Sequence, residues 1–305
     1  MIAAAALAAL AIISTLGAWR LNSARWATRA PHTAVLLWQA LGVTWGLAAT
    51  GALLAYAFEP YGKGALLGMR DFVVSAYTGG EGGTVPLDLP RVLALISGMT
   101  MLSVLIAVLV GATFQTLRAR RRHRMLLALI AREDPGVPGV RVVDHPGAAA
   151  YCVPGLRSQV VVSAGTLALL SPDELRAVLA HESAHARERH DLVLLPFAAL
   201  CRAMPFSGVV RGAQSSVELL IEMAADDRAR EHCSPRRLAT ALLRFGAAAA
   251  VPTPSGALGA HTGVMARVER LISPVPILPK RFRFLVMLLA ATLTVSAPLL
   301  WLLPS

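Results

Sequence analysis

The stretch Ser171-Pro172-Asp173-Glu174-Leu175-Arg176-Ala177-Val178-Leu179-Ala180-His181-Glu182-Ser183-Ala184-His185 lies in the middle third of a 305-residue chain. It begins with the signals of a helix start. Ser171 is a good N-cap, Pro172 suits the first helical position, and Glu174, three residues after the cap, completes a capping box. Leu175, Val178 and Leu179 recur at helical spacing and carry the helix on to His181. His181 and His185 then project from nearly the same side. Two imidazoles so placed can grip one zinc ion, with Glu182 beside them to take a proton from water activated by the metal. The signature is specific, because His and Glu are scarce in this composition and because it falls on a helix, as its mechanism requires.

A hydrolytic zinc site wants a third protein ligand and one open position. The best source is the apolar stretch Val217 to Asp226, which carries Glu218, Glu222 and Asp226 at four-residue intervals and hence on one helix face. Three acids on one face of an apolar helix are costly to bury unless paired or metal-bound. With Glu222 as ligand, Asp226 can orient a ligating histidine from behind; the alternative is that these acids face water. His190, five residues after His185, is expected to point well away from the site. Arg187, Glu188, Arg189 and Asp191 around it read as a solvated helix end. His145, His232 and His261 stand alone and read as ordinary histidines. Cys152 and Cys201 read as small packing groups, and with Cys233 they form neither a disulfide framework nor a metal-binding pair. Arg187, His232 and Arg236 are the candidates for stabilising an oxyanion.

The rest of the chain is too apolar for a soluble domain. It is 55% hydrophobic and 15% charged, where about 25% charge is usual, and its mean hydropathy is +0.59. That balance excludes disorder. Four runs free of charge and histidine are long enough to span a bilayer: about 2–19, 33–58, 92–115 and 284–303. The fold class expected is mainly α, a polytopic membrane protein with four transmembrane helices and one α+β domain. The first run lacks a basic residue ahead of it and is followed by Arg20, Arg25 and Arg29, so it reads as a retained helix with its N-terminus outside rather than as a signal peptide. The positive-inside rule then places the 20–32 loop, the cluster Arg118, Arg120, Arg121, Arg122, Arg124, and Lys280, Arg281, Arg283 in the cytoplasm. The near-neutral, glycine-rich loop 59–90 is external. Residues 1–116 thus form three membrane helices, 117–283 a cytoplasmic domain, and 284–305 a fourth helix with a short external end. The net charge of +11 is nearly all arginine. Membrane topology accounts for it, and no direct nucleic-acid contact is expected.

Within the domain, a helix is expected over 118–132. Strands are expected over 140–143 and 159–163, around turn signals at Pro146-Gly147 and Pro154-Gly155. The second strand, just before the histidine helix, could pair with an extended substrate or be an ordinary sheet strand. The apolar stretch 192–206 is interrupted by Pro196 and Arg202 and reads as a buried or membrane-surface helix, not a fifth span.

In its order of parts, and in the stretches Ala150-Tyr151-Cys152-Val153-Pro154-Gly155, Val160-Val161-Val162-Ser163-Ala164-Gly165, His181-Glu182-Ser183-Ala184-His185 and Glu222-Met223-Ala224-Ala225-Asp226, the chain resembles the BlaR/MecR-type membrane metallopeptidases and, more distantly, the HtpX-like membrane peptidases. The resemblance implies a gluzincin zinc peptidase with Zn2+ held by His181, His185 and Glu222, Glu182 as general base and Asp226 in support. It also implies a protein substrate in the cytoplasm, a transcriptional repressor of the BlaI/MecI kind. Antibiotic-sensing members carry a penicillin-binding domain after the fourth helix. The sequence ends at Ser305, directly after that helix, so a member without this sensor is expected. The competing readings are a quality-control protease in the membrane and a non-catalytic signalling scaffold with a structural zinc. An intramembrane protease is disfavoured by the charges Asp173, Glu174, Arg176, Arg187, Glu188 and Arg189 around the motif.

Overall fold

A computed structural model of the chain describes residues 1–62, 64–78, 87–133, 138–155, 158–248, 258–259, 263–273, 276 and 278–302. In chain order its helices are α1 (Ile2–Asn22), α2 (Pro31–Ala57), α3 (Gly64–Tyr77), α4 (Leu89–Ile130), α5 (Ala164–Leu169), α6 (Pro172–Arg187), α7 (His190–Ala203), α8 (Gly208–Ala229), α9 (Pro235–Ala248), α10 (Val264–Ile272) and α11 (Lys280–Leu302). Its strands are β1 (Ala131–Glu133), β2 (Val140–Val143), β3 (Ala150–Val153), β4 (Gln159–Ser163) and β5 (Leu258–Gly259).

Among the described residues, α1, α2, α4 and α11 are long and apolar enough to cross a membrane. They coincide with the four apolar runs, but α4 extends further. The third run and the helix expected over 118–132 are one continuous helix of 42 residues. Asp88 caps it by accepting from the Arg91 amide at 3.1 Å, and no proline interrupts it after Pro90. The stretch expected as an external loop holds a helix, α3, whose Phe72 packs against Phe58 and Tyr61. The glycines that gave this stretch its loop-like composition follow Tyr77 and lie outside the described residues.

Helix α2 packs against α1, α4 and α11. Its N-terminal half sends Leu37, Trp38 and Leu41 into a core shared with Phe197 of α7, Leu220 and Ile221 of α8, and Val286 and Ala290 of α11. Each such large side chain contributes about 1.5–3 kcal/mol when fully buried. The membrane helices and the domain are therefore built on common packing. Helix α7, the interrupted apolar stretch, has 14 residues and lies against α4, too short for a span.

The sheet order is β1-β2-β4-β3-β5. The two expected strands are present as β2 and β4, paired in parallel from Val140 opposite Val160 to Val143 opposite Ser163. Strand β3 pairs antiparallel with the other side of β4. Both edges of β4 are thus taken, and the suggestion that it receives a substrate strand is not met. The Ser163 hydroxyl donates to the Gly147 carbonyl at 2.7 Å, and the Thr166 hydroxyl donates to the Ala149 carbonyl at 2.9 Å, fastening the β2–β3 turn to the end of β4. Gly165 is required here, because a Cβ would collide with the Pro146 carbonyl.

Candidate metal centre

Helix α6 starts as its sequence dictates. The Ser171 amide donates to the Glu174 carboxylate at 2.8 Å, and the Ser171 hydroxyl accepts from the Glu174 amide. The helix carries His181, Glu182 and His185 inward, each 1–2% exposed. Helix α8 packs against α6 and brings Glu222, also buried, to the two imidazoles. His181 Nε2 lies 3.1 Å from His185 Nε2 and 3.3 Å from Glu222 Oε2, while His185 Nε2 lies 3.4 Å from Glu222 Oε1. Zinc ligands about 2.0–2.1 Å from the ion at tetrahedral angles stand roughly 3.3 Å apart. The separation of the two imidazole nitrogens, and of each from its nearer Glu222 oxygen, matches that spacing, and two imidazoles plus a carboxylate are a donor set that zinc accepts, so the residues present fit the ion.

Glu182 is placed differently. Its carboxylate lies near the Cys152 backbone of β3, which favours the charged form, and Oε2 is buried without a hydrogen-bond partner among the described residues. It is a free acceptor beside the metal position. Burial pushes its carboxyl up to about 8, with the Glu222 charge adding to the rise. Burial disfavours charge on His181, yet hydrogen bonds to Asp226 and Glu222 outweigh this and raise it to about 9. Burial lowers His185. Glu222 is held well below the usual carboxylate range because His185 and Arg267 outweigh its burial. A bound dication would pull the Glu182 carboxyl back down.

Asp226 stands behind His181, with Oδ1 3.0 Å from Nδ1, an ion-pair distance across which its charge faces the ring. Glu218, one turn before Glu222, is turned aside and accepts from the Gln214 amide at 2.8 Å. Of the three acids in series, Glu222 and Asp226 reach the centre.

Two residues of the cluster were not legible in the sequence. Arg267 of α10 is fully buried and forks onto Asp226 through Nε and Nη2 at 2.8 and 2.7 Å, while Nη1 reaches Glu222 Oε2 at 2.8 Å. It is the buried cation that answers the acids. Arg187, His232 and Arg236, the oxyanion candidates, are all exposed. The other is His190, and here the expectation is corrected. Helix α6 stops at Arg187, and Arg189 takes a left-handed conformation (φ 52°), so the chain doubles back instead of winding on. His190 Nδ1 comes to 2.9 Å from His185 Nδ1. Its Nε2 lies 3.0 Å from Glu188, which in turn meets His32 of α2 and Arg228 of α8. Asp191 is likewise buried and accepts from Arg120 of α4 at 2.8 Å. This segment is not a solvated helix end. Burial, with the neighbouring His185, brings His190 down to about 4, so it stands neutral behind its partner. His261 lies outside the described residues, and the Cys152 thiol, buried and pushed up to about 12, is inert.

Comparison with known proteins agrees with this geometry. Residues 116–223 match the model of Peptidase family M48, a stretch that includes His181, Glu182, His185 and Glu222. The chain is 32% identical over 158 residues to a protease HtpX homolog of Aeropyrum pernix, covering 48% of this chain and 50% of that protein. It is 29% identical over 146 residues to one of Trichormus variabilis, covering 47% and 50%. It is 31% identical over 96 residues to one of Thermoplasma acidophilum, covering 28% and 30%. The chain thus spans half or less of the length of these relatives. Residues 116–223 are similar to Peptidase family M48, and they lie among helices long and apolar enough to cross a membrane.

Proposed function

We propose that this chain is a membrane-bound zinc endopeptidase that cuts a cytoplasmic protein. A repressor of the BlaI/MecI kind is the substrate to which the BlaR/MecR resemblance points. The observation that carries the reading is the convergence of His181, His185 and Glu222 beside a Glu182 whose Oε2 is buried and unengaged. A structural zinc site has no use for such a group, which counts against the scaffold.

Zinc bound by His181, His185 and Glu222 supplies Lewis acidity, polarising a carbonyl and making water more acidic. The chain's own residues do the rest. Glu182 Oε2 takes the proton from the attacking water and returns it to the leaving amine. His190 holds the ring of His185 through Nδ1, and the Asp226 carboxylate faces Nδ1 of His181. β3, not β4, is the strand next to Glu182.

The cytoplasmic placement is supported by where the basic loops lie. The α1–α2 connection, with Arg20, Arg25 and Arg29, touches the domain, since Arg270 donates to the Thr28 carbonyl at 2.7 Å and the Ser216 hydroxyl donates to Asn22 at 2.7 Å. The three relatives are named simply as proteases, which leaves a membrane quality-control protease as the second reading.

Glu182→Gln tests the proposal. The variant should fold and retain zinc, measured as metal content, yet lose proteolysis of co-expressed candidate repressors or of itself by about 10²–10⁴-fold. Unchanged cleavage with full zinc content would sink the peptidase reading. Zinc-dependent cleavage with every repressor left intact would leave the protease and remove the repressor.

A further inference from the structure

A cleft of about 1060 Å³ opens where the membrane helices meet the domain, and none of His181, Glu182, His185 or Glu222 lines it. Six arginines line it: Arg29 before α2, Arg228 and Arg230 at the end of α8, Arg236 of α9, Arg270 of α10 and Arg283 of α11. Only two acids share the lining, Asp227 and Glu231. Both are already engaged: Asp227 by Arg270 and Arg230, Glu231 by Arg228. The guanidinium groups of Arg29, Arg236 and Arg283 make no hydrogen bond or ion pair with any described residue. The cleft therefore holds an uncompensated surplus of planar, phosphate-matching donors.

Its depth says what would bring the anion. Helix α2 has 27 residues, about 40 Å of length, which equals the thickness of a bilayer with its headgroup layers, about 40–45 Å. Its first residues, Pro31, His32 and Thr33, line the cleft, so the cleft opens at headgroup level. Trp26 and Phe282 meet edge to face there, centroids 5.5 Å apart, as aromatic residues do at a membrane interface. The apolar side chains Phe284 and Leu285, 62% and 60% exposed, follow directly after Arg283 toward the acyl layer. A soluble anion would need only the arginines; a lipid uses both the charge and the apolar flank.

We propose that this cleft is a binding site for the phosphodiester headgroup of an anionic phospholipid, held by Arg29, Arg236 and Arg283. The site does not depend on the peptidase reading, and its test needs no proteolysis. The headgroup would rest on the same joint at which Arg270 ties α10 to the Thr28 carbonyl. Basic pockets between membrane helices on this side are where acidic headgroups are selected.

The full-length protein in detergent, titrated with phosphatidylglycerol or phosphatidylcholine and read by native mass spectrometry, tests this. The parent should retain phosphatidylglycerol and not phosphatidylcholine. The triple variant Arg29→Gln/Arg236→Gln/Arg283→Gln should lose roughly fivefold in affinity per arginine, on the order of a hundredfold in all. The control Arg118→Gln/Arg121→Gln/Arg122→Gln removes the same charge from exposed positions on α4 and should lose far less. If the triple variant does not fold, Arg236→Gln alone, at an exposed and unpaired position, should still cost about fivefold. Equal losses in the two triple variants would mean diffuse attraction and overturn the site, as would no loss at all. Displacement of the lipid by glycerol phosphate at equal concentration would make the ligand a soluble phosphate. An acidic peptide that outcompetes the lipid would make the cleft a protein-docking surface. Either result overturns the proposal.

Discussion

Arg267→Met isolates the electrostatics of the metal centre. The substitution keeps most of the side-chain volume and removes a guanidinium that is 0% exposed and ion-paired to both Asp226 and Glu222. In the metal-free protein these two carboxylates would lose the permanent cation that answers them. Breaking a buried pair from one side typically costs about 3–5 kcal/mol. At roughly 2–4 °C per kcal/mol, the melting temperature should fall by about 6–20 °C. Zinc should behave differently. Arg267 Nη1 stands 2.8 Å from Glu222 Oε2, one of the two oxygens that carboxylate could offer a metal, so removing it frees that oxygen and strips a positive charge from the neighbourhood of a dication. A ligand at a hundredfold excess over its Kd adds about 2.7 kcal/mol, and tighter binding adds more. The assay is thermal unfolding of full-length parent and variant in detergent, chelator-treated and zinc-loaded. The variant should melt well below the parent without metal and gain more from zinc than the parent does. If the chelated proteins melt together, Arg267 is not a structural counter-ion. If zinc stabilises the variant less than the parent, the arginine organises the ligands instead of competing for one.

Two further expectations concern neighbouring groups. Glu222→Gln should weaken zinc binding far more than Glu218→Gln, because Glu218 is spent on Gln214; competition with a chromogenic chelator measures both, and the opposite order would refute the ligand assignment. His190→Gln should lower zinc affinity about 10–100-fold by releasing His185 Nδ1. It should also change the acid profile of the metal-free protein. His190 stands at about 4 when folded, against about 6.5 unfolded, so the unfolded chain takes up the proton first and stability falls as pH drops from about 6.5 to 4. The variant should lack that part of the decline in a pH series of unfolding curves.

How much of this was legible follows the range of each signal. The capping box at Ser171 and the motif His181 to His185 are local, and both stand as written. The series Glu218, Glu222, Asp226 narrowed the third ligand to one helix face, but only the packing of α8 on α6 chooses among them. Arg267 was silent because an arginine in the short stretch Val264 to Ile272, with Glu269 and Arg270 close by, carries no motif that marks it as buried. Its only clue was indirect, three acids in need of a cation. His190 was misplaced because helical geometry was carried through Arg189, a left-handed position where no glycine marks the break. Strand β3 is four residues, all buried, without the alternation that announces a strand.

Helix α4 has a mechanical consequence. At 42 residues it is a rod of about 63 Å, of which a bilayer core of about 30 Å hides half. The protruding half is bolted to the domain: Arg120 to Asp191, His123 to the Tyr151 hydroxyl, Arg124 to the Pro154 carbonyl. Two of these fastenings fall on or just after β3, the strand that packs against α6. A rod this long is a lever. Tilting it by about 10° at the membrane surface would swing the far end by about 5 Å, well beyond the reach of a hydrogen bond. Any such tilt would load these three fastenings first, two of them at the strand that packs beside α6.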